Sequence, residues 1–374
     1  MRKLTYLLAV AFLAAPLIKM QAQNNPRNLE LEWQTNKSKH LVPLDEFTAL
    51  MQRDGIPPID QPQFWNREQA MDELFIHEPV IAVEVGGQAK AYPLSILMFH
   101  EIVNDVLGDQ LIAVTYCPLC NAALVFDREL THHGEKMLLD FGVSGMLRMS
   151  DLVMWDRQTE SWWQQFTGEA LVGELSGAEL EVIPSLLISL EEYFEAYPQG
   201  KVLSNQTGHF REYGSNPYTA YDELDKVPRF FKGEIDSRLP PMERLVDIHV
   251  RGKYKVYPMR TVSEEEVIND QFEGEPVVLF YTSKTVSALD EGQIADSKQI
   301  GAVTVFVPEV NGQTLHFVKS GTYFKDKQTN SVWNIAGQCI EGHFKGSQLR
   351  PKAHGNHFAF AWFAFRPESE IYQK

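Results

Sequence analysis

Residues 80–116, VIAVEVGGQAKAYPLSILMFHEIVNDVLGDQLIAVTY, align without a gap with residues 245–281, LVDIHVRGKYKVYPMRTVSEEEVINDQFEGEPVVLFY. Tyr92-Pro93 falls on Tyr257-Pro258, Glu101 on Glu266, Asn104-Asp105 on Asn269-Asp270, and Tyr116 on Tyr281. The match resumes at residues 156–180, DRQTESWWQQFTGEALVGELSGAEL, over residues 326–349, DKQTNSVWNIAGQCIEGHFKGSQL, with one residue of slippage. Matched blocks recurring in the same order are the mark of an internal duplication. The expected architecture is two tandem diverged copies of one domain, residues 80–204 and 245–374, each of ordinary domain size. Residues 23–79 are then an N-terminal extension packed on the first copy. Residues 205–244 are rich in Tyr, Phe, Pro and Gly without periodicity, and read as an ordered connection.

Each copy reads as α+β and β-rich. VIAVEV, Gly86-Gly87 and QAKAYPL predict a hairpin, because glycine supplies the positive φ of such turns. SILMFHEIVNDVLG predicts a short helix ending at Gly108, and Ser263 and Glu266 have capping-box spacing for its counterpart. LIAVTY, NAALVFDRE and KMLLDFGVSG predict strands. Ser189 and Glu192 predict a capping box opening a helix through SLEEYFEAYP.

The first residues, MRKLTYLLAVAFLAAPLIKMQAQ, have the layout of a cleavable secretory signal: Arg2 and Lys3, an apolar run, then a small residue at Ala22. The run is too short to span about 30 Å of hydrocarbon comfortably, so no integral membrane segment is expected after cleavage near Ala22. The expected location is the periplasm or the extracellular space. Net charge is −16 for the whole chain, and the mature chain, with 31 basic against 50 acidic residues, stands near −19. That balance argues against nucleic acid and anionic membrane surfaces as partners, since cationic patches supply most of such affinity.

YPLSILMFHEIVND, VTYCPLCNAALVFDR, FGVSGMLRMSDLVMWDRQTESWWQQFTGEALVGEL and HGNHFAFAWFAFRPESEIY together closely resemble an exported prokaryotic family catalogued as domain of unknown function 3179. The resemblance covers nearly all of the mature chain. It implies an extracytoplasmic protein with this two-copy layout, and it implies no reaction.

A duplicated domain is its own control: shared positions serve the fold, and positions peculiar to one copy serve its function. Tyr92, Pro93, Asn104, Asp105, Thr159, Ser161 and Trp163 are shared and read as turns, caps and core. Three features belong to the first copy alone. Cys117 and Cys120 stand where the second copy has Thr282 and Thr285, His100 stands opposite Glu265, and MLRMSDLVMW carries about six extra residues. A CxxC turn between strands aims two thiolates at one point. The expected site is therefore a metal centre, copper before zinc, with Cys117, Cys120 and His100 as ligands. Met149 or Met146 would be a further soft ligand, with Arg148, Asp151 and Glu101 in outer positions. Its partner would be a small molecule or a metal-delivery protein, and the second copy would have lost the site.

Two other readings use the same residues. A thiol-redox CxxC is one, although such motifs sit at helix N-termini and a strand follows here. The other is a structural disulfide, with His100, Glu101, Asn104 and Asp105 forming a solvated helix stripe. Under it, any function would fall to a carbohydrate-binding or hydrolase site of Asp151, Asp156, Glu160, Glu169 and the Trp162-Trp163 pair. Cys339 takes the place of Ala170 and is expected to be a buried, unpaired thiol.

Overall fold

Gly86 and Gly87 both take positive φ, +58° and +81°, and close the hairpin of Pro79–Val85 and Gln88–Pro93. A two-residue turn between right-twisted strands demands this. In this computed structural model, which describes residues 32–374, the hairpin is the centre of a five-stranded sheet. Leu186–Ser189 flanks it on one side, and Lys201–Leu203 and then Phe64–Trp65 on the other. The secretory signal expected over residues 1–22 lies outside the described residues.

After Pro93 the chain makes a single helical turn, Leu94–Leu97, and reverses at Glu101, whose φ is +59°. It returns as the strand Ile102–Leu107, antiparallel to Gln110–Cys117, which pairs in turn with Ala122–Asp127. The helix expected to reach Gly108 is thus one turn long. The β-branched Ile102 and Val103 suit a pleated strand. Asn104 and Asp105, far from solvated, are buried on fixed partners. Asn104 exchanges two hydrogen bonds with the Phe141 backbone, and Asp105 accepts from Tyr92 Oη at 2.6 Å and from Lys90 Nζ. Those ties displace the solvated-stripe reading. The capping box proposed at Ser263 and Glu266 is also displaced. Ser263 lies inside the helix Met259–Glu265 and donates to Arg260 O, and Glu266 is the left-handed C-cap. The box at Ser189 and Glu192 forms as expected and opens the helix Leu190–Ala196.

Pairing registers recur where the residue pattern recurs. Val80 faces Pro93 as Leu245 faces Pro258, and Ile102 faces Thr115 as Val267 faces Phe280. Tyr116 N–H donates to Glu101 O at 2.8 Å, and Tyr281 N–H to Glu266 O at 3.0 Å. Asp156 accepts from Trp163 Nε1 at 2.9 Å and from Thr159 N–H at 2.6 Å; Asp326 accepts from Trp333 and Thr329 at 3.0 and 2.6 Å. With short helices among many strands, the fold is α+β and β-rich. No helix among the described residues is long and apolar enough to cross a membrane.

The buried clusters cross between the two halves. Val114, Phe126 and Trp163 share one with Leu245, Phe358 and Trp362, while Val80 and Ile188 share another with Phe280 and Phe306. Residues 205–244 run between the halves with few regular hydrogen bonds of their own. They are tied down by Tyr221, fully buried, and by the buried pair of Asp222 and Arg244 at 2.7 Å.

Candidate metal centre

Cys117 ends its strand opposite Ala122, and Pro118–Leu119–Cys120–Asn121 make the turn between them. Asn121 at φ +51° and its N–H to Pro118 O, 3.2 Å, close that turn. The turn is clamped from outside. Tyr221 Oη donates to Leu119 O at 3.2 Å, and Phe358 N–H donates to Cys120 O at 2.9 Å. All three cysteines of the chain are free thiols.

The third member of the cluster comes from the insertion. MLRMSDLVMW extends a hairpin, Phe141–Arg148 paired with Asp151–Asp156. Met149 and Ser150 both have positive φ, 51° and 72°, as a two-residue turn requires. The counterpart hairpin, Phe317–Ser320 with Tyr323–Asp326, is shorter on both strands. The extended arm is held by the strand Phe47–Ala49, which pairs with Met146–Arg148. A bulge at Gly145, φ +78°, lets residues 50–51 approach: Leu50 N–H donates to Gly145 O, and a Cβ on Gly145 would lie 2.3 Å from Met51 O. Asp151, just past the tip, is thereby carried onto the CxxC turn. Cys117 Sγ, Cys120 Sγ and a carboxylate oxygen of Asp151 all lie within 4.8 Å of one another, and all three residues are buried.

Four acids meet here: Cys117, Cys120, Asp151 and Glu101. Burial pushes Asp151 up to about 7, although Gln164, the Phe166 N–H and the two thiols all favour its charged form. Burial, then the Asp151 charge, pushes Glu101 to about 8. Burial also raises both thiols, with Asp151 adding to the rise at each. Lys90, Arg148 and Arg244 pair with Asp105, Glu46 and Asp222. Asp151 Oδ2 takes Gln164 Nε2 at 2.6 Å and Phe166 N–H at 3.0 Å, whereas Oδ1 is buried with no hydrogen-bond partner. The thiols come near enough to favour the carboxylate charge, yet neither bonds Oδ1 in acceptable geometry. A buried, unpartnered carboxylate oxygen beside two thiols is costly unless something cationic completes it.

The sign of the pH effect follows. Asp151 and Glu101 keep their protons in the folded chain at pH values where the unfolded chain has lost them. Their contribution to stability is complete below about pH 4 and is lost as pH rises through 7 to 8. In the metal-free protein each is expected to lower stability by up to about 1.4 kcal/mol per pH unit across that interval. Urea unfolding at pH 5, 6 and 7 reads this slope, and Glu101→Gln should flatten part of it. A stability that rises over this range, equally in both proteins, would contradict the burial of these acids.

His100 is not brought to the cysteines. Its Nδ1 donates to Pro57 O at 2.7 Å and its Nε2 accepts from Tyr213 Oη at 2.6 Å. Burial pushes it down to about 4, so it is a neutral strut between the N-terminal extension and the connection. The left-handed turn at Glu101 is the reason: consecutive side chains diverge, and Glu101 rather than His100 faces the acids. Met146 packs with Phe47, Trp162 and Val172, in a cluster separate from that of the cysteines. Met149 occupies the first turn position and is half-buried, while the adjacent Ser150 supplies the carbonyl 3.9 Å from Cys117 Sγ. Arg148 lies one step out. It pairs with Glu46 at 2.7 Å and donates to Gln164 Oε1 at 3.2 Å, and Gln164 in turn holds Asp151.

Asp151, read from sequence as an outer residue, belongs with the thiols. Gln164, Phe166 and Tyr221 carried no signal in the sequence. The insertion was the one clue to Asp151. Cys339 is buried and unpaired, its thiol 3.4 Å from Glu341 O, and faces Trp333 as Ala170 faces Trp163. The sugar reading loses its platform. Trp162 and Trp163 are both buried, Asp156 is spent on Thr159 and Trp163, and Glu160 pairs with Arg53.

Fold and cluster together define a β-rich α+β protein with a sealed dithiol–carboxylate centre at the tip of an extended hairpin. The chain belongs to the family described as Protein of unknown function (DUF3179), which matches residues 53–369. No curated protein and no solved structure matches it.

Proposed function

We propose that this chain is an exported protein, periplasmic or extracellular, made of two diverged copies of one domain, and that the first copy holds one metal ion through Cys117, Cys120 and Asp151. The observation that carries the reading is the convergence of three buried ligand atoms within 4.8 Å, one from a carboxylate whose Oδ1 has no other partner. Binding replaces the protons these acids retain, so affinity rises with pH. The donor set of two sulfurs and one oxygen moves zinc ahead of copper. Zinc takes thiolate and carboxylate alike, whereas copper(I), though it takes thiolate readily, favours soft donors throughout, and the third donor here is a hard carboxylate. Three protein ligands leave one position of a tetrahedron, and Glu101 is the neighbouring donor. Recurrent registers and the left-handed glutamates 101 and 266 support the duplication; the leader MRKLTYLLAVAFLAAPLIKMQA supports export.

The test is elemental analysis of the full chain refolded under reducing conditions with zinc, then dialysed. About one ion per chain is expected, with Cys117 and Cys120 reactive towards a thiol reagent only in denaturant with chelator. No bound ion, with two thiols missing in non-reduced denatured protein, would replace the metal reading by the disulfide.

A further inference from the structure

A second buried polar constellation lies across the molecule from the sequence motifs. A cavity of about 150 Å³ opens between the halves, walled by Leu124 and Phe166 from the first and by Asp247, His357 and Trp362 from the second. His357 is 1% exposed, and its ring packs against Phe166 at 4.5 Å and Trp362 at 5.2 Å. Its Nε2 lies 3.1 Å from Asp247 Oδ1, which also accepts Gly355 N–H at 2.7 Å. The carboxylate therefore places the imidazole proton on Nε2. Nδ1 is left as a lone-pair acceptor, and it is buried with no partner.

The fold does not require this pair. His357 faces Leu245 in the strand pairing as Ile188 faces Val80, and Asp247 faces Val256 as Ala82 faces Ala91. Where the first half has isoleucine and alanine, both buried in an apolar cluster, the second has histidine and aspartate. Burying them costs free energy unless each polar atom is satisfied. A metal is not the partner indicated. Among the described residues only Cys117, Cys120 and Asp151 converge as a ligand set, and His354, His357 and Asp247 do not.

We propose that this cavity binds a small hydroxylated aromatic molecule, a phenol by chemical class, whose O–H donates to His357 Nδ1 while its ring packs against the cavity-lining edges of Phe166 and Trp362. A volume of this size is enough for one benzene-sized ring, and here the wall mixes Leu124, Val182, Phe166 and Trp362 with polar His354, His357 and Arg366. His357 Nδ1 and His354 Nε2, both on this cavity, are buried without a partner, and such acceptors favour a ring that carries a donor. The test titrates the full chain by calorimetry with phenol and with anisole, the same ring without the donor. Phenol is expected to bind at least tenfold more tightly than anisole. The double variant His357→Ile with Asp247→Ala carries the residues of the first half at these positions, and its circular dichroism checks folding. It is expected to bind the two compounds equally. Equal affinities in the wild-type chain, or no phenol binding up to its solubility, would overturn the proposal.

Discussion

Cys117→Ser is expected to abolish ion binding and, with it, all ion-dependent stability. In the wild-type chain an ion that binds only the folded state adds about 4 kcal/mol when its free concentration is a thousandfold above Kd. A serine hydroxyl does not ionise in this environment, and two remaining ligands fall well short of the usual four. The denaturant midpoint of the variant should therefore not respond to zinc, while its metal-free midpoint stays within the range of a small core substitution. Asp151→Asn is the companion. It keeps an oxygen for Gln164 and the Phe166 N–H but removes the charge, and it should weaken binding by at least the ten- to hundredfold typical of losing an outer-sphere partner. A zinc-induced shift in Cys117→Ser equal to that of the wild type would move the ion away from the CxxC turn.

Trp163→Ala should lower stability by about 3–5 kcal/mol, as large aromatic truncations in a packed core do. Trp163 is fully buried, packs edge-to-face on Phe141 at 5.7 Å, and donates to Asp156, so its loss opens a void and frees a buried carboxylate oxygen. Trp333→Ala removes the same arrangement, with Phe317 at 5.7 Å and Asp326 as acceptor, and should cost a similar amount. The two variants should part company in metal binding. Trp163 pairs with Met154 in the hairpin that carries Asp151, and its neighbour Gln164 holds that carboxylate. Trp163→Ala is therefore expected to weaken the ion site, and Trp333→Ala to leave about one ion per chain. Elemental analysis of the two refolded variants separates them, and equal loss in both would mean that the centre depends on global stability alone.

Much of the local structure was legible in the residues because its causes are local. Gly86-Gly87 dictates a hairpin by φ, Ser189 and Glu192 cap a helix three residues apart, and Cys339 sits where its counterpart Ala170 is small and buried. The motifs also placed the chain in its family. Local periodicity misled at SILMFHEIVND. There the i, i+4 spacing of polar residues suggested a solvated helix, while partners distant in sequence, Asn104 on Phe141 and Asp105 on Tyr92, hold it as a strand.

The sequence by itself determined the β-rich class, the turn between Cys117 and Cys120, and the extra length that sets the first hairpin apart from its counterpart. Only the tertiary structure decided which side chains meet there. One backbone angle at Glu101, φ +59°, turns His100 to Pro57 and Tyr213 and leaves Glu101 beside the acids. The pairing of Phe47–Ala49 with the extended hairpin carries Asp151 to the thiols and buries Met146 elsewhere. Spacing along a chain constrains neighbours within a few residues. Convergence of ligands far apart in sequence depends on how strands pair and where a turn reverses, and those are settled by packing of the whole.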